Sequence, residues 1–179
     1  MKPNNMAKAK KEKSGSDTIE KQRVLLKQYL GQYYNAKMKK KQLEIRLRNF
    51  RENMGGIRGM DYSPVPRTQT NKVGDGAASE VIRAMEIEDR IKKQQAEMNA
   101  AMLNVMKLMD YLPVDSTERM MLEYRHIDCL GWKQVCKETN YSRQSCINYY
   151  NAGIDKLLTY KKVQKMIADF STSKEGENP

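Results

Sequence analysis

The polar side chains able to do chemistry crowd one short stretch, Ser142-Arg143-Gln144-Ser145-Cys146-Ile147-Asn148. A guanidinium such as that of Arg143 can bond O6 and N7 of guanine together, and the carboxamides of Gln144 and Asn148 can bond N6 and N7 of adenine. Ser145 suits a phosphate or a bridging water. Lys133 and Lys137, a little upstream, suit phosphates, which position a protein on a duplex without reading its sequence. Hydrogen-bonding groups of this kind point to recognition of double-stranded DNA rather than to bond-making.

Other chemistry is less well supplied. His126, Cys129, Cys136 and Cys146 follow a His-x2-Cys-x6-Cys-x9-Cys pattern that lacks the paired Cys-x2-Cys knuckle of most structural zinc sites. Cys136 and Cys146 are also explained as packing positions, so no metal is expected. A nucleophilic Cys–His pair is no better supported, because there is one His and no Gly-rich loop to make an oxyanion hole. Gly55-Gly56, Gly59 and Gly74-x-Gly76 are loop glycines, since no Gly-Lys-Ser/Thr follows as a phosphate loop requires. Neither an active site nor a cofactor is expected, and the chain reads as a non-enzyme.

The elements that must hold the polar cluster can be read from Trp132 to Leu158. Val135 and Cys136 share one face of a short helix opening at Trp132, and Thr139-Asn140-Tyr141 breaks it. Asn tolerates the left-handed backbone of a tight turn. Ser142 offers its hydroxyl as the N-cap of a second helix. Along that helix Cys146, Tyr149, Gly153 (or Ala152), Ile154 and Leu157 recur at three- and four-residue steps, giving one inward face. Arg143, Gln144, Ser145 and Asn148 are left pointing outward near its start. This is a helix-turn-helix pattern, whose second helix lies in the major groove. A capping box at Asp115-Ser-Thr-Glu118 opens a supporting helix to about Ile127. The second helix has no breaker beyond Leu158 and can extend through Tyr160 to Phe170.

Upstream, the pattern predicts two long helices. Ile19, Leu26, Tyr33, Leu47 and Met54 form one heptad row and Tyr29, Ala36, Leu43 and Phe50 another. After Pro64-Val-Pro66 and its glycines, a second helix runs from about Ala77 to Leu112, with Ala84, Ile91, Met98, Val105 and Leu112 beside Val81, Ile87, Ala101 and Leu108. Matching seams suggest an antiparallel hairpin or, alternatively, pairing between copies in a homo-oligomer. The expected divisions are a disordered basic arm (1–16), two helices joined by a loop at about 55–76 (17–112), a globular domain (113–170) and a polar tail (171–179).

Charge placement agrees with a polyanionic partner. The net charge is +11, and Met1–Met54 alone carries 15 Lys and Arg against 5 Asp and Glu. No run of about 18 apolar residues occurs, so no membrane-spanning helix is expected. Three cysteines, with no apolar signal sequence in front, suit a reducing cytoplasm.

The C-terminal globule resembles region 4 of bacterial sigma factors. The residues that carry the likeness are Glu118-Arg119, Tyr124 through Trp132, Ser142-Arg-Gln-Ser-Cys146 and Ala152-Gly153-Ile154-Asp-Lys-Leu157. With the long helical segment from Lys27-Gln-Tyr-Leu30 and Lys72-Val-Gly74, the whole is similar to phage-encoded late-gene activators of the RinA and ArpU kind. The resemblance implies an all-α fold and a sequence-specific regulator that positions host RNA polymerase at packaging or lysis genes, in the cytoplasm of a bacterial host. Ile147 departs from it, standing where region 4 often has a basic contact, so weaker groove affinity or a different base is expected. No other sigma region is present, so promoter melting is not. A small-terminase-like packaging protein, which also joins a helix-turn-helix to an oligomerising helical segment, is the alternative.

Overall fold

The computed structural model describes the backbone of residues 5–54 and 73–175 and the side chains of residues 18–53 and 79–172. Over these residues the chain is all-α, with no strand. Its helices are α1 (Asn5–Leu30), α2 (Gln32–Met54), α3 (Val73–Met109), α4 (Thr117–His126), α5 (Trp132–Thr139), α6 (Arg143–Leu158) and α7 (Lys161–Glu175). α1 begins inside the segment expected to be an unstructured arm, whose side chains lie outside the described residues. Most of the expected loop at 55–76 lies outside them as well, as does the end of the expected tail, 176–179. No helix among the described residues is long and apolar enough to cross a membrane.

The helices form two compact units, Met1–Tyr34 with Ala101–Pro179, and Asn35–Ala100. In the first, α4 and α5 pack on α6, while α1 packs on both α6 and α7. Its core is aliphatic: Leu26, Leu30, Val105, Leu108, Met121, Leu122, Val135, Ile154, Leu157, Val163 and Ile167 are all buried. Leu26, Tyr29 and Tyr33 therefore serve this core rather than a continuous coiled-coil seam. Ile19, assigned to the same row, is 51% exposed. Ala36, Leu43, Leu47 and Phe50 of the same rows belong to the second unit.

Two local features set the geometry of the first unit. Gly153 lets α6 approach α4 closely, because a Cβ there would stand 2.9 Å from Leu122 Cδ1 and 3.3 Å from the Glu118 carbonyl oxygen. Arg119 ties the end of α3 to α4 by bonds to Glu123 (2.7 Å), Asp110 (3.2 Å) and the Leu112 carbonyl (3.2 Å). The N-cap of α4 is Ser116 rather than Asp115; its hydroxyl accepts from the Arg119 amide, and with Arg at the third helical position the expected capping box is replaced by this single cap bond.

α6 does not run on past Leu158. Thr159 Oγ1 bonds the Lys156 carbonyl at 2.6 Å and Gln164 Nε2 bonds the Leu158 carbonyl at 2.7 Å. These bonds satisfy the carbonyls at the end of the helix. The chain then restarts as α7, which buries Val163 and Ile167 and sets Phe170 edge-on to Tyr29 at 5.2 Å. α7 reaches Glu175, inside the segment expected to be a polar tail.

In the second unit Leu43, Leu47 and Phe50 of α2 are half-buried, as are Ala84, Ile87, Ile91 and Met98 of α3. An Arg51–Glu88 ion pair joins the two helices within one chain. Val81, given to the same α3 stripe by its spacing, is 51% exposed.

Candidate nucleic-acid interface

The candidate interface centres on the turn between α5 and α6. Asn140 takes the left-handed conformation (φ 55°, ψ 22°), which an Asn tolerates better than most side chains. Extended Ser142 follows as N-cap, its hydroxyl accepting from the Ser145 amide at 3.1 Å. Val135 and Cys146 are buried beneath the turn, and Thr139 Oγ1 closes α5 on the Val135 carbonyl at 2.8 Å. Buried residues thus fix how α6 leaves α5, and that angle decides what its first two turns present.

Those turns present most of the side chains expected from the sequence. Arg143, Gln144 and Asn148 are exposed, and Arg143 has no ion-pair partner among the described residues. Gln144 Nε2 donates to Asn148 Oδ1 at 2.9 Å, one helical turn away. Ser142 and Ser145 are partly committed elsewhere, since their hydroxyls lie 2.9 Å apart and Ser142 also caps the helix. Ile147 and Ser145 are half-buried, whereas Lys133 and Lys137 stand exposed on α5. Cationic and carboxamide groups therefore share one face, with the lysines on the helix before it.

One expected position was wrong. Tyr149 is 37% exposed and pairs with exposed Tyr141 at 5.5 Å between ring centroids, while the inward residue is Tyr150, at 9%. Tyr150 is enclosed by Trp132, edge-on at 5.4 Å, and by His126, whose Nε2 lies 3.0 Å from the Tyr150 hydroxyl. Burial, helped by the charge of Arg125, pulls the His126 pKa down to about 4, against a hydrogen bond to the Leu30 backbone. Burial likewise pushes the Tyr150 hydroxyl up. The Arg125 guanidinium stacks over Trp132 at 4.6 Å and also bonds the Leu130 carbonyl. Trp132 is thus a packing residue of this cluster.

The structure adds two residues that spacing alone did not pick out. Asn151 is exposed seven residues after Gln144 and three after Asn148, which places all three on one helical stripe. The periodicity was visible, but attention stayed on the first turns of the helix. The stripe continues to Asp155, whose carboxylate receives Arg23 of α1 at 2.7 and 2.8 Å. A free carboxylate on this face would repel phosphate, and a bidentate guanidinium cancels its charge. Nothing local to either residue reveals this pairing, because they are 132 positions apart.

The cysteines and the histidine do not gather as a metal site. Among the described residues no three His, Cys, Asp or Glu side chains are grouped as a metal ion needs. His126 is engaged with Tyr150, and the Cys129 thiol bonds the Ile127 carbonyl at 3.5 Å. Cys136 and Cys146 instead face each other across the α5–α6 joint at 3.7 Å. Comparison with protein-family models, with characterised proteins and with solved structures returned no match to this chain.

Proposed function

We propose that the chain is a sequence-specific double-stranded DNA-binding regulator of transcription, with α6 as the helix that enters the major groove. The observation that carries this reading is the exposed Arg143, Gln144 and Asn148 at the start of a helix whose opposite face is buried. The Gln144–Asn148 bond engages the Asn148 oxygen and does not use the Asn148 amide protons or the Gln144 oxygen, both on exposed residues. One donor and one acceptor held side by side match the N7 and N6 edge of adenine. Arg143 supplies the fork for a neighbouring guanine, and Lys133 and Lys137 hold the backbone on either side. The net charge of +11 adds a salt-dependent attraction that does not discriminate sequence.

The likeness to phage late-gene activators completes the proposal. In this reading the protein acts in a bacterial host's cytoplasm and positions the host RNA polymerase at a late promoter. The test is footprinting of the purified protein across neighbouring genes, with and without polymerase. Protection beside a promoter, strengthened by polymerase, is expected. Arg143→Ala should weaken that protection about 5- to 100-fold, the worth of one bidentate base contact. Undiminished binding by that variant would remove α6 from the groove. Protection beside a packaging gene, indifferent to polymerase and accompanied by ring assembly, would move the protein to the terminase-like class.

A further inference from the structure

The joint that aims α6 is held by two thiols. Cys136 of α5 and Cys146 of α6 bring their sulfurs to 3.7 Å, with Thr139 Oγ1 also 3.7 Å from the Cys146 sulfur. A disulfide needs about 2.05 Å, so bonding requires the gap to close by roughly 1.6 Å. The two sulfurs differ in access: Cys136 is half-buried and Cys146 is fully buried. Cys129, the remaining thiol, belongs to the α4–α5 connection and bonds the Ile127 carbonyl.

We propose that Cys136 and Cys146 form an oxidation site at which a hydroperoxide creates an intramolecular disulfide across the α5–α6 joint. Cys136, on the accessible side, attacks the terminal peroxide oxygen. An S–O bond forms, the O–O bond breaks, and the alcohol (or water, from hydrogen peroxide) leaves with the thiol's proton. Cys136 is then a sulfenic acid. The Cys146 sulfur attacks it, an S–S bond forms, and the hydroxyl leaves as water with the proton of Cys146. The two sulfurs together give up two electrons to one peroxide. The first step is slow, because burial and the neighbouring Cys146 hold the Cys136 thiol above its ordinary pKa, a rise that the nearby Arg143 charge opposes.

The proposal is independent of what α6 reads. Its test treats the full chain with hydrogen peroxide, blocks remaining thiols, and maps peptides by mass without reduction. The expected result is a Cys136–Cys146 linkage with Cys129 still alkylatable, reversed by dithiothreitol. Cys129→Ser should leave the linkage intact, and Cys146→Ser should yield a Cys136 adduct with dimedone and no linkage. Consumption of Cys129 first, or over-oxidation of Cys136 without a link, would overturn the proposal.

Discussion

His126 has its Nε2 at 3.0 Å from the Tyr150 hydroxyl and its ring stacked on the Tyr150 ring at 5.7 Å. Its pKa of about 4 in the folded chain lies below the ordinary 6.5, so between those values the unfolded chain binds the extra proton. Stability is then complete above pH 6.5 and falls as pH drops toward 4. The loss by pH 5 is about 2 kcal/mol relative to pH 8, read by urea denaturation at the two values. His126→Phe should be less stable at pH 8 but should lose most of this pH dependence. An equal loss in the variant would assign the acid sensitivity to other groups. Asn140 gives a second residue-scale prediction. A β-branched Val is strained at a φ of 55°, so Asn140→Val should cost about 1–2 kcal/mol, while Asn140→Gly should change stability little.

Among the elements, the contact of α6 with α4 is the tightest. A Val at position 153 would press on Leu122, itself fully buried, and on the Glu118 backbone. Gly153→Val should therefore cost about 1–3 kcal/mol by thermal melting, despite the better helix propensity of the larger residue. A neutral result would mean that α4 and α6 can separate without loss. The elements also separate what was legible in the sequence from what was not. The left-handed Asn140 and the Ser142 cap were readable, because both rest on the local chemistry of one side chain and its neighbouring backbone. The identity of the inward tyrosine was not, since positions 149 and 150 lie three and four residues beyond Cys146 and both suit a helical face. The end of α6 was hidden as well. It depends on Thr159 and Gln164 side chains and on the burial of Val163 and Ile167, and no Pro or Gly marks it. Of the candidate site, the polar cluster at 143–148 was visible as residue types. The Arg23–Asp155 pairing that neutralises its far end came only from tertiary packing.

At the scale of the molecule, the unit that carries α6 draws on both ends of the chain. Leu26 and Leu30 of α1 are fully buried in it, in a core that also holds residues more than ninety positions away such as Leu122 and Ile154. Leu26→Ala should cost about 2–5 kcal/mol in urea denaturation, as for other truncations of fully buried leucines. A cost under about 1 kcal/mol would place α1 outside the core. A chain that joins its first helix to its last two also has a fixed order of completion. During synthesis α1 leaves the ribosome before α6 and α7, the partners it packs against, and must wait for them. At roughly 5–20 residues per second that wait lasts on the order of 6–26 s. Through that interval the apolar side of α1, with Leu26, Tyr29 and Leu30, stands uncovered on a nascent chain. Holdase chaperones bind such segments, and a chain cut short before Arg143, lacking both α6 and α7, would keep α1 in that state.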